Sequence, residues 1–351
     1  MKKSNKEEER RTDTDEVLDL LDAYLASSAV CAAMELGLFW HLDREILSGK
    51  KIAGLLMLPI KRCQYWLQYL CKLGLLEQVP NGFSLSAKAQ SAILDSYSQE
   101  TWMLLAKESI EQFPVFQFLS SHFRDQGSLW EAAGLDPPMY VERMSEDPVR
   151  ARQFTRMLYE LHQPLAQEIA NLLDMSQINK LMDLGGGSGV VSMTLLRRYL
   201  HLSALVVDIP NVCSAGRELA AENSLEDRLI FHPADFTHDE LPSGFDMVLE
   251  CDVGIYNEEL FNKVRGSLNP SGRYVIIDQF APAKGVAPFS RLSWALQSSI
   301  RDPDFSYPTS QEIVSMLEKS GYHLVTSHEL PRIGSKTAQF TDDMYIINAH
   351  V

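Results

Sequence analysis

The order of apolar and polar residues divides the chain into a helical first part and a second part in which strands and helices alternate. Apolar residues recur at helical spacing over residues 16–42, and a second helical run covers residues 61–73. The turn signal Pro80-Asn81-Gly82 and the alternating strand Phe83-Ser84-Leu85 follow. Helix, helix, turn and short hairpin predict a winged helix-turn-helix.

In the second part, a long helix over residues 149–173 leads to strands that alternate with helices. We therefore predict an α/β fold with a seven-stranded Rossmann-like sheet. A loop alone joins the last two strands, so one antiparallel strand should lie on an otherwise parallel sheet. The predicted strands cover residues 179–184, 203–208, 228–232, 245–250, 273–279, 322–328 and 343–349.

Three segments follow from this organisation. Residues 1–16 carry mixed charges without an apolar period and predict a disordered tail. Residues 17–148 form the winged-helix domain, and residues 149–351 form the sheet domain. The aromatic-rich stretch 100–145 is typical of helices that cap a pocket or pack a dimer, although a core role suits each of its rings equally well.

Charge and composition exclude several classes of function. The 351 residues carry 32 Lys and Arg against 47 Asp and Glu, a formal charge of -15, which repels nucleic acid. The helix in the recognition position offers only Lys61, Arg62 and Lys72. The winged helix is therefore interpreted as an interaction surface, and no nucleic acid partner is expected.

The chain shows neither a targeting signal nor a metal pattern. No run of 18 apolar residues occurs, and the charged start does not lead into a signal peptide, so we expect a cytoplasmic protein without membrane contact. Five cysteines without a Cys-x-x-Cys pair indicate reduced thiols. The histidines lack metal-ligand spacing, and no metal is expected.

A glycine-rich turn carries the most specific signal. Asp183-Leu184-Gly185-Gly186-Gly187-Ser188-Gly189 follows an apolar strand and opens a helix, where the backbone can approach a ligand closely. Val190 stands where a dinucleotide fingerprint requires its last glycine. Asp183 beside the turn suits a cationic ligand. The pattern favours S-adenosylmethionine over NAD.

Two further acidic residues follow the next strands at spacings that suit an adenosine cofactor. Asp208 ends the second strand and can accept hydrogen bonds from both ribose hydroxyls, or can simply cap the strand. Asp235 can take the adenine amino group while the ring of Phe236 lies against the purine.

Together these motifs resemble the class I S-adenosylmethionine-dependent O-methyltransferases of the plant caffeate and bacterial small-molecule type. The resemblance implies metal-free transfer by a homodimer with interlocked winged-helix regions, and cofactor contacts at Gly185, Gly187, Asp208, Asp235 and Phe236. Its other matching segments are Ala33-Met34-Glu35-Leu36-Gly37-Leu38-Phe39, Leu73-Gly74-Leu75-Leu76, Val207-Asp208-Ile209-Pro210-Asn211-Val212, Leu268-Asn269-Pro270-Ser271-Gly272-Arg273 and Tyr307-Pro308-Thr309.

The chain departs from that family at its general base. The family's His-Asp-Trp triplet is replaced by Ile255-Tyr256-Asn257, and no histidine occurs between His238 and His323. Asp278 fills one place of the two carboxylates that orient the family's histidine, and Tyr307 fills the other. Cys251 replaces a lysine near the cofactor carboxylate.

Other residues could supply the missing chemistry. His162 is the best substitute base, or else a structural or solvent-facing histidine, and Met157 and Tyr159 could flank donor and acceptor. Tyr256 could donate a hydrogen bond or act as a weak base, and a core role suits it equally.

The segment 294–304 covers the acceptor site in relatives. There Trp294 is expected to contact the acceptor, and Arg301 could bind an anionic or carbonyl-bearing substrate or form a surface ion pair with Asp302.

We therefore expect a methyltransferase of specialised metabolism that acts on an oxygen or carbon of a small aromatic or polyketide-like acceptor. The alternative is a pericyclase, decarboxylase or hydroxylase that keeps the bound sulfonium as a structural or electrostatic cofactor. A regulator that senses the cofactor through a winged helix is a third hypothesis.

Overall fold

The computed structural model describes residues 12–137, 139–330 and 343–351. The chain forms two compact units, Met1–Phe113 and Pro114–Val351. Within the described ranges no single helix is long and apolar enough to cross a bilayer, although one pair of helices bent by 50°, Asp13–Leu21 with Ala23–Glu35, passes that test jointly.

The first unit is mainly helical and contains one hairpin. Leu38, Phe39, Leu67 and Leu70 are fully buried at its centre. The order of two helices followed by an antiparallel hairpin is the order that the sequence predicts. Its elements are α1 (Asp13–Leu21), α2 (Ala23–Glu35), α3 (Leu38–His41), α4 (Gly49–Leu55), α5 (Ile60–Lys72), β1 (Leu76–Val79), β2 (Gly82–Leu85), α6 (Ala87–Ala89), the π-helical turn Gln90–Leu94 and α7 (Gln99–Phe116), which continues into the second unit.

The first helix begins inside the predicted disordered tail. Thr12 caps α1, because its hydroxyl accepts a hydrogen bond from the backbone N–H of Asp15 while the Asp15 carboxylate bonds back to Thr12. This reciprocal cap stabilises a first turn that is otherwise too polar to pack. The prediction is therefore wrong for residues 13–16, and residues 1–11 lie outside the described part of the chain.

The second unit is built on a seven-stranded sheet of order β5-β4-β3-β6-β7-β9-β8. Its first five strands run parallel, and β9 is antiparallel to both neighbours, as predicted. The strands are β3 (Lys180–Leu184), β4 (Ser203–Asp208), β5 (Leu229–Pro233), β6 (Phe245–Cys251), β7 (Leu268–Gln279), β8 (His323–Glu329) and β9 (Met344–His350). The predicted Rossmann-like fold is confirmed.

Helices cover both faces of this sheet. Side chains of α12, α13 and α14 pack on one face as the first-face core, and those of α15 and α17 pack on the other as the second-face core. The helices of this unit are α8 (Leu119–His122), α9 (Leu129–Ala132), α10 (Tyr140–Glu146), α11 (Pro148–Leu161), α12 (Gln163–Leu172), α13 (Val190–Arg198), α14 (Pro210–Glu222), α15 (Glu258–Ser267), α16 (Leu292–Arg301) and α17 (Ser310–Lys319), with a 3₁₀ turn at Phe289–Arg291.

The long helix predicted over residues 149–173 is two helices. α11 ends at Leu161, and α12 starts at Gln163, with His162 between them in a non-helical conformation. Pro164 causes the break, because proline has no N–H for the carbonyl four residues earlier and its ring clashes with that carbonyl.

The unit boundary also differs from the sequence-based one. Val115 and Leu129 form a small core with Ile300 of α16, and Met144 packs with Ile209 and Val212 of the sheet domain. Residues 114–148 therefore belong with the sheet unit, because Val115, Leu129 and Met144 are buried against its elements.

Candidate active site

The glycine-rich turn joins β3 to α13 in a conformation that favours glycine. Gly185, Gly187 and Gly189 have φ of 65°, 55° and 74°, in the left-handed region that side chains disfavour. Gly185 N–H donates to the carbonyl of Val207 at 2.8 Å, which ties the turn to β4. A Cβ on Gly187 would meet no atom within 4 Å. The turn therefore opens onto space that a ligand can reach.

Asp183 braces this turn from inside. Its carboxylate accepts a 2.6 Å hydrogen bond from Ser192 Oγ, and only 1% of the residue is exposed. A Cβ on Gly186 would lie 2.5 Å from the Asp183 Cγ. Burial raises the pKa of Asp183 to about 6. Its contact with a cationic ligand stays a prediction.

Asp208 lies across the turn at the end of β4. Its Oδ2 accepts a hydrogen bond from Gly187 N–H at 2.9 Å, and its Oδ1 accepts one from Ile209 N–H at 2.8 Å. Burial raises its pKa to about 6, so the carboxylate is ionised at neutral pH. Because each carboxylate oxygen accepts two hydrogen bonds, Asp208 caps the strand and keeps capacity for a ligand.

Asp235 and Phe236 follow β5 at the same edge. The Asp235 carboxylate accepts hydrogen bonds from the hydroxyl and N–H of Thr237 and lies 3.0 Å from His238 Nδ1. The Thr237 hydrogen bond is the main cause that lowers the pKa of Asp235. A Cβ on Gly185 would lie 3.5 Å from the Phe236 ring, so this ring sits beside the glycine turn.

A cavity of about 140 Å³ opens beyond the carboxyl ends of β6 and β7. Asp252, Tyr256, Asp278 and Arg291 give it polar groups. Its apolar wall includes Trp294, Phe305 and Tyr307, whose ring centroids lie 5.3 to 5.7 Å apart. The predicted acceptor residue Trp294 therefore lines a cavity.

Asp278 and Tyr256 form a buried pair in this cavity. The Tyr256 hydroxyl donates a hydrogen bond to Asp278 Oδ2. Burial, and next the Asp252 carboxylate, raise the pKa of Asp278 to about 7, while the hydrogen bond from Tyr256 opposes that rise. Burial also raises the pKa of Tyr256 well above its ordinary value. Tyr256 is thus a hydrogen-bond donor at neutral pH, and Asp278 can accept a proton.

Asp252 and Arg291 form an ion pair beside them. Arg291 Nη2 donates to Asp252 Oδ1 at 3.0 Å, and Arg291 Nε donates to the side-chain oxygen of Gln279. Asp252 adopts φ of 53°, a conformation uncommon for side-chain-bearing residues. His162 Nε2 lies 3.7 Å from Asp252 Oδ2, and burial lowers the pKa of His162. His162 is absent from the cavity lining and approaches it at Asp252.

A buried glutamate lies next to this group on β6. Glu250 is 0% exposed, and its Oε2 accepts a hydrogen bond from the Tyr274 hydroxyl. Burial raises the pKa of Glu250 to about 8. This residue is a neutral acid at neutral pH.

Three predicted substrate contacts lie outside the cavity. The Tyr159 hydroxyl donates to Asn223 Oδ1 at 3.2 Å, and its ring packs on the first-face core. Met157 is buried on α11, and Arg301 ends α16. Tyr159 is directed away because its hydroxyl bonds to Asn223 at the end of α14, the helix that packs against α11.

The remaining predicted residues are placed as follows. Ile255, which the sequence places at the family's histidine position, packs on the second-face core. Cys251 packs on the first-face core, and burial raises the pKa of its thiol well above the ordinary value. Over the described ranges, no group of three or more His, Cys, Asp or Glu could hold a metal ion.

Asp252, Arg291 and Glu250 were missed by sequence reasoning. Asp252 follows Cys251 directly, so its position at the carboxyl end of the fourth strand was the available signal. Nothing in the local sequence places Arg291 beside it, since the two are 39 residues apart.

Comparisons with known proteins identify the family of the chain. An O-methyltransferase domain matches residues 116–323, more than half of the chain. The chain is 25% identical over 312 residues to the N,N-dimethyltransferase OxyT of Streptomyces rimosus, covering 88% of this chain and 90% of that protein. It is 28% identical over 272 residues to the 3-hydroxy-5-methyl-1-naphthoate 3-O-methyltransferase of Streptomyces sahachiroi, covering 74% and 75%.

A solved structure shares the whole fold. Human N-acetylserotonin methyltransferase in complex with SAM superposes with a TM-score of 0.77 at 17% identity, covering 98% of this chain and 99% of that one. The chain belongs to the O-methyltransferase family and is an S-adenosylmethionine-dependent methyltransferase.

Proposed function

We propose that this enzyme methylates a small aromatic or polyketide-like acceptor in specialised metabolism, with Asp278 in place of the usual histidine base. The observation that carries the proposal is the cavity at the carboxyl ends of β6 and β7, where Asp278 and Tyr256 are paired and Ile255 is apolar. The names of the two relatives, a naphthoate O-methyltransferase and an N,N-dimethyltransferase, support this acceptor class.

The methyl donor is assigned to the neighbouring glycine turn. Asp208 accepts a hydrogen bond from Gly187, the Phe236 ring lies beside Gly185, and Asp235 follows the neighbouring strand β5 at the same edge. These acidic and aromatic groups fit a cationic adenosine compound. S-Adenosylmethionine supplies an activated methyl group at that place. Asp183 supports this surface from below through Ser192 and Gly186.

The chain's own residues position the acceptor and take its proton. Asp278 accepts the proton of an acceptor hydroxyl, and Tyr256 holds the carboxylate in place. His162 and Arg291 orient Asp252 from two sides. Trp294, Phe305 and Tyr307 form the wall against which an aromatic ring can pack.

The homodimer and the cytoplasmic location that we expect from the sequence are also part of this proposal.

The test is incubation of the full chain with methyl-labelled S-adenosylmethionine and a panel of phenols, naphthols and enolisable polyketides. Labelled product with equimolar S-adenosylhomocysteine supports the proposal. Conversion of a panel compound without cofactor consumption would instead support the non-methylating alternative. Labelled product formed at undiminished rate by Asp278→Asn would remove Asp278 as the base.

A further inference from the structure

The acceptor cavity combines aromatic walls with an excess of carboxylates. Asp252 and Asp278 line it together with Arg291, which is the sole cationic side chain among the described residues of the lining. Arg291 is 11% exposed at its side chain and is already bonded to Asp252 and Gln279. When both aspartates are ionised, the cavity therefore holds one negative charge that its own residues leave unbalanced.

The position of the guanidinium is fixed from several sides. Gln279 accepts a hydrogen bond from Arg291, and its amide donates to Ser290 Oγ at 3.3 Å. The N–H of Ser290 donates to Asp343 Oδ2 at 3.0 Å. Arg291 is thus held against Asp252, and turning toward Asp278 would break this network.

The aromatic wall is suited to the same kind of ligand. Trp294, Phe305 and Tyr307 meet edge to face or at a tilt within one cavity. A cation near the face of Trp or Tyr is attracted by the ring quadrupole, and such aromatic groups recognise ammonium ligands. The aromatic rings and the unbalanced carboxylate of this cavity therefore both favour a positively charged ligand.

We propose that the acceptor carries an ammonium group beside its aromatic ring, and that the Trp294-Phe305-Tyr307 wall and the carboxylates of Asp252 and Asp278 bind it. The inference rests on the proposed function and names its substrate class. An ammonium at this place stabilises the ionised form of Asp278, because an opposite charge favours a carboxylate. The acceptor's own charge would then keep the base ready to take a proton.

Binding should depend on pH through Asp278. Its pKa is raised to about 7 by burial and by Asp252, so the ammonium preference is present above that pH and weakens as pH falls and the carboxyl gains a proton. The other charged or titratable groups that face Asp278 are Glu250, Cys251, Tyr256, Arg291 and Tyr307.

The test compares tyramine with 4-ethylphenol, which has the same ring, hydroxyl and two-carbon chain without the amine. Calorimetric titration uses the full chain saturated with S-adenosylhomocysteine, whose sulfur is neutral. We expect tyramine to bind about tenfold more tightly at about pH 8, and this preference to shrink at about pH 6.

Variants test whether the cavity causes the preference for tyramine over 4-ethylphenol. Asp252→Asn should remove most of it, since asparagine keeps the shape and tolerates positive φ. Trp294→Leu should weaken tyramine more than 4-ethylphenol. Asp227→Asn, an exposed position before β5 at the opposite edge of the sheet, is the matched control and should keep the preference.

Equal binding of the two probes, an undiminished preference in Asp252→Asn, or no binding of tyramine by the saturated protein at millimolar concentration would overturn the inference. Methyl transfer to acceptors without an amine would do so as well and would leave the proposed function standing. Loss of S-adenosylhomocysteine binding in the unaltered protein would count against the proposed function itself.

Discussion

At the scale of single residues, burial and hydrogen bonding set the pKa values of the acids in the site. Asp278 and Glu250 lie near each other on neighbouring strands, and burial raises the pKa of both, to about 7 and about 8. Asp235 is held by Thr237 and has a lowered pKa. The carboxyl ends of the strands thus carry acids whose pKa values are shifted in opposite directions, a separation that assigns different roles to similar side chains.

Replacing Asp278 by Asn should lower kcat about 10²-fold or more, because the proton acceptor is lost. In the unaltered enzyme, kcat/KM should fall about tenfold per pH unit below about pH 7 as the carboxylate is protonated. A pH profile checks both statements. The hydrogen bond from Tyr256 lowers the pKa of Asp278. Tyr256→Phe removes this bond and should therefore raise that pKa and move the acidic limb of the profile to higher pH. An unchanged limb in Asp278→Asn would contradict the assignment.

Glu250→Gln should make stability less dependent on pH. The folded chain keeps the Glu250 proton up to about pH 8, whereas an unfolded chain releases it near the ordinary glutamate pKa of about 4.3. The folded state therefore binds more protons, and its free energy of unfolding falls as pH rises between these values. Urea titrations from acidic to mildly alkaline pH should show a flatter dependence in the variant. Parallel curves would argue that Glu250 is ionised in the fold.

The positions of the residues around the glycine turn were predictable from the sequence, but the lining of the cavity beyond β6 and β7 was not. Asp208 and Phe236 are local in sequence to strands whose ends must meet at one edge. Asp252 and Arg291 meet only through tertiary packing, and the direction of Tyr159 depends on which face of α11 meets α14. A helix face becomes known only when its neighbours are known.

At the scale of elements, the strands were predictable because buried parallel strands are short apolar runs with turn signals at their ends. Six of the seven lie within a residue of the predicted ranges, and β7 begins five residues earlier, at Leu268. The ends of the helices could not be predicted from the apolar pattern, because capping residues and prolines set them. The Thr12 cap started α1 within polar sequence, and Pro164 divided α11 from α12.

Two glycines, Gly187 and Gly266, both have space for a Cβ and differ in backbone conformation, so they test the effect of conformation without that of crowding. A Cβ would meet no atom within 4 Å at Gly187 in the turn or at Gly266 in α15, but only Gly187 has a positive φ. Gly266→Ala should raise the free energy of unfolding by about 0.5–1 kcal/mol through helix propensity. Gly187→Ala should lower it by about 1 kcal/mol and weaken S-adenosylhomocysteine binding. Urea unfolding and calorimetry measure these effects, and equal stability changes would refute the distinction.

At the scale of the whole molecule, the net charge disfavours nucleic acid as a partner, and the exposed apolar surface favours another protein chain. The net charge of -15 disfavours nucleic acid. The two N-terminal helices expose a row of large apolar side chains, a surface typical of protein interfaces. Its members, here called the N-terminal apolar face, are Val17, Leu18, Leu20, Leu21, Tyr24 and Leu25.

The N-terminal apolar face should support the expected homodimer. Joint replacement of Leu20 and Leu21 by Glu should shift the chain toward monomer, because two charges would be buried in the interface. Light scattering after size exclusion measures the mass. Leu200→Glu, at a single leucine that is 79% exposed, is the matched control and should leave the mass unchanged. A monomeric unaltered chain, or a dimer that persists in the double variant, would contradict this expectation.

The place of β9 has a consequence for how the protein is made. This strand, the last in sequence, lies between β7 and β8 rather than at an edge of the sheet. Strand β7 can gain its second neighbour only after the ribosome has synthesised the chain through His350. Until then β7 and β8 expose unpaired backbone groups, which makes a nascent chain prone to association. The sheet is therefore completed only after its other six strands have been synthesised.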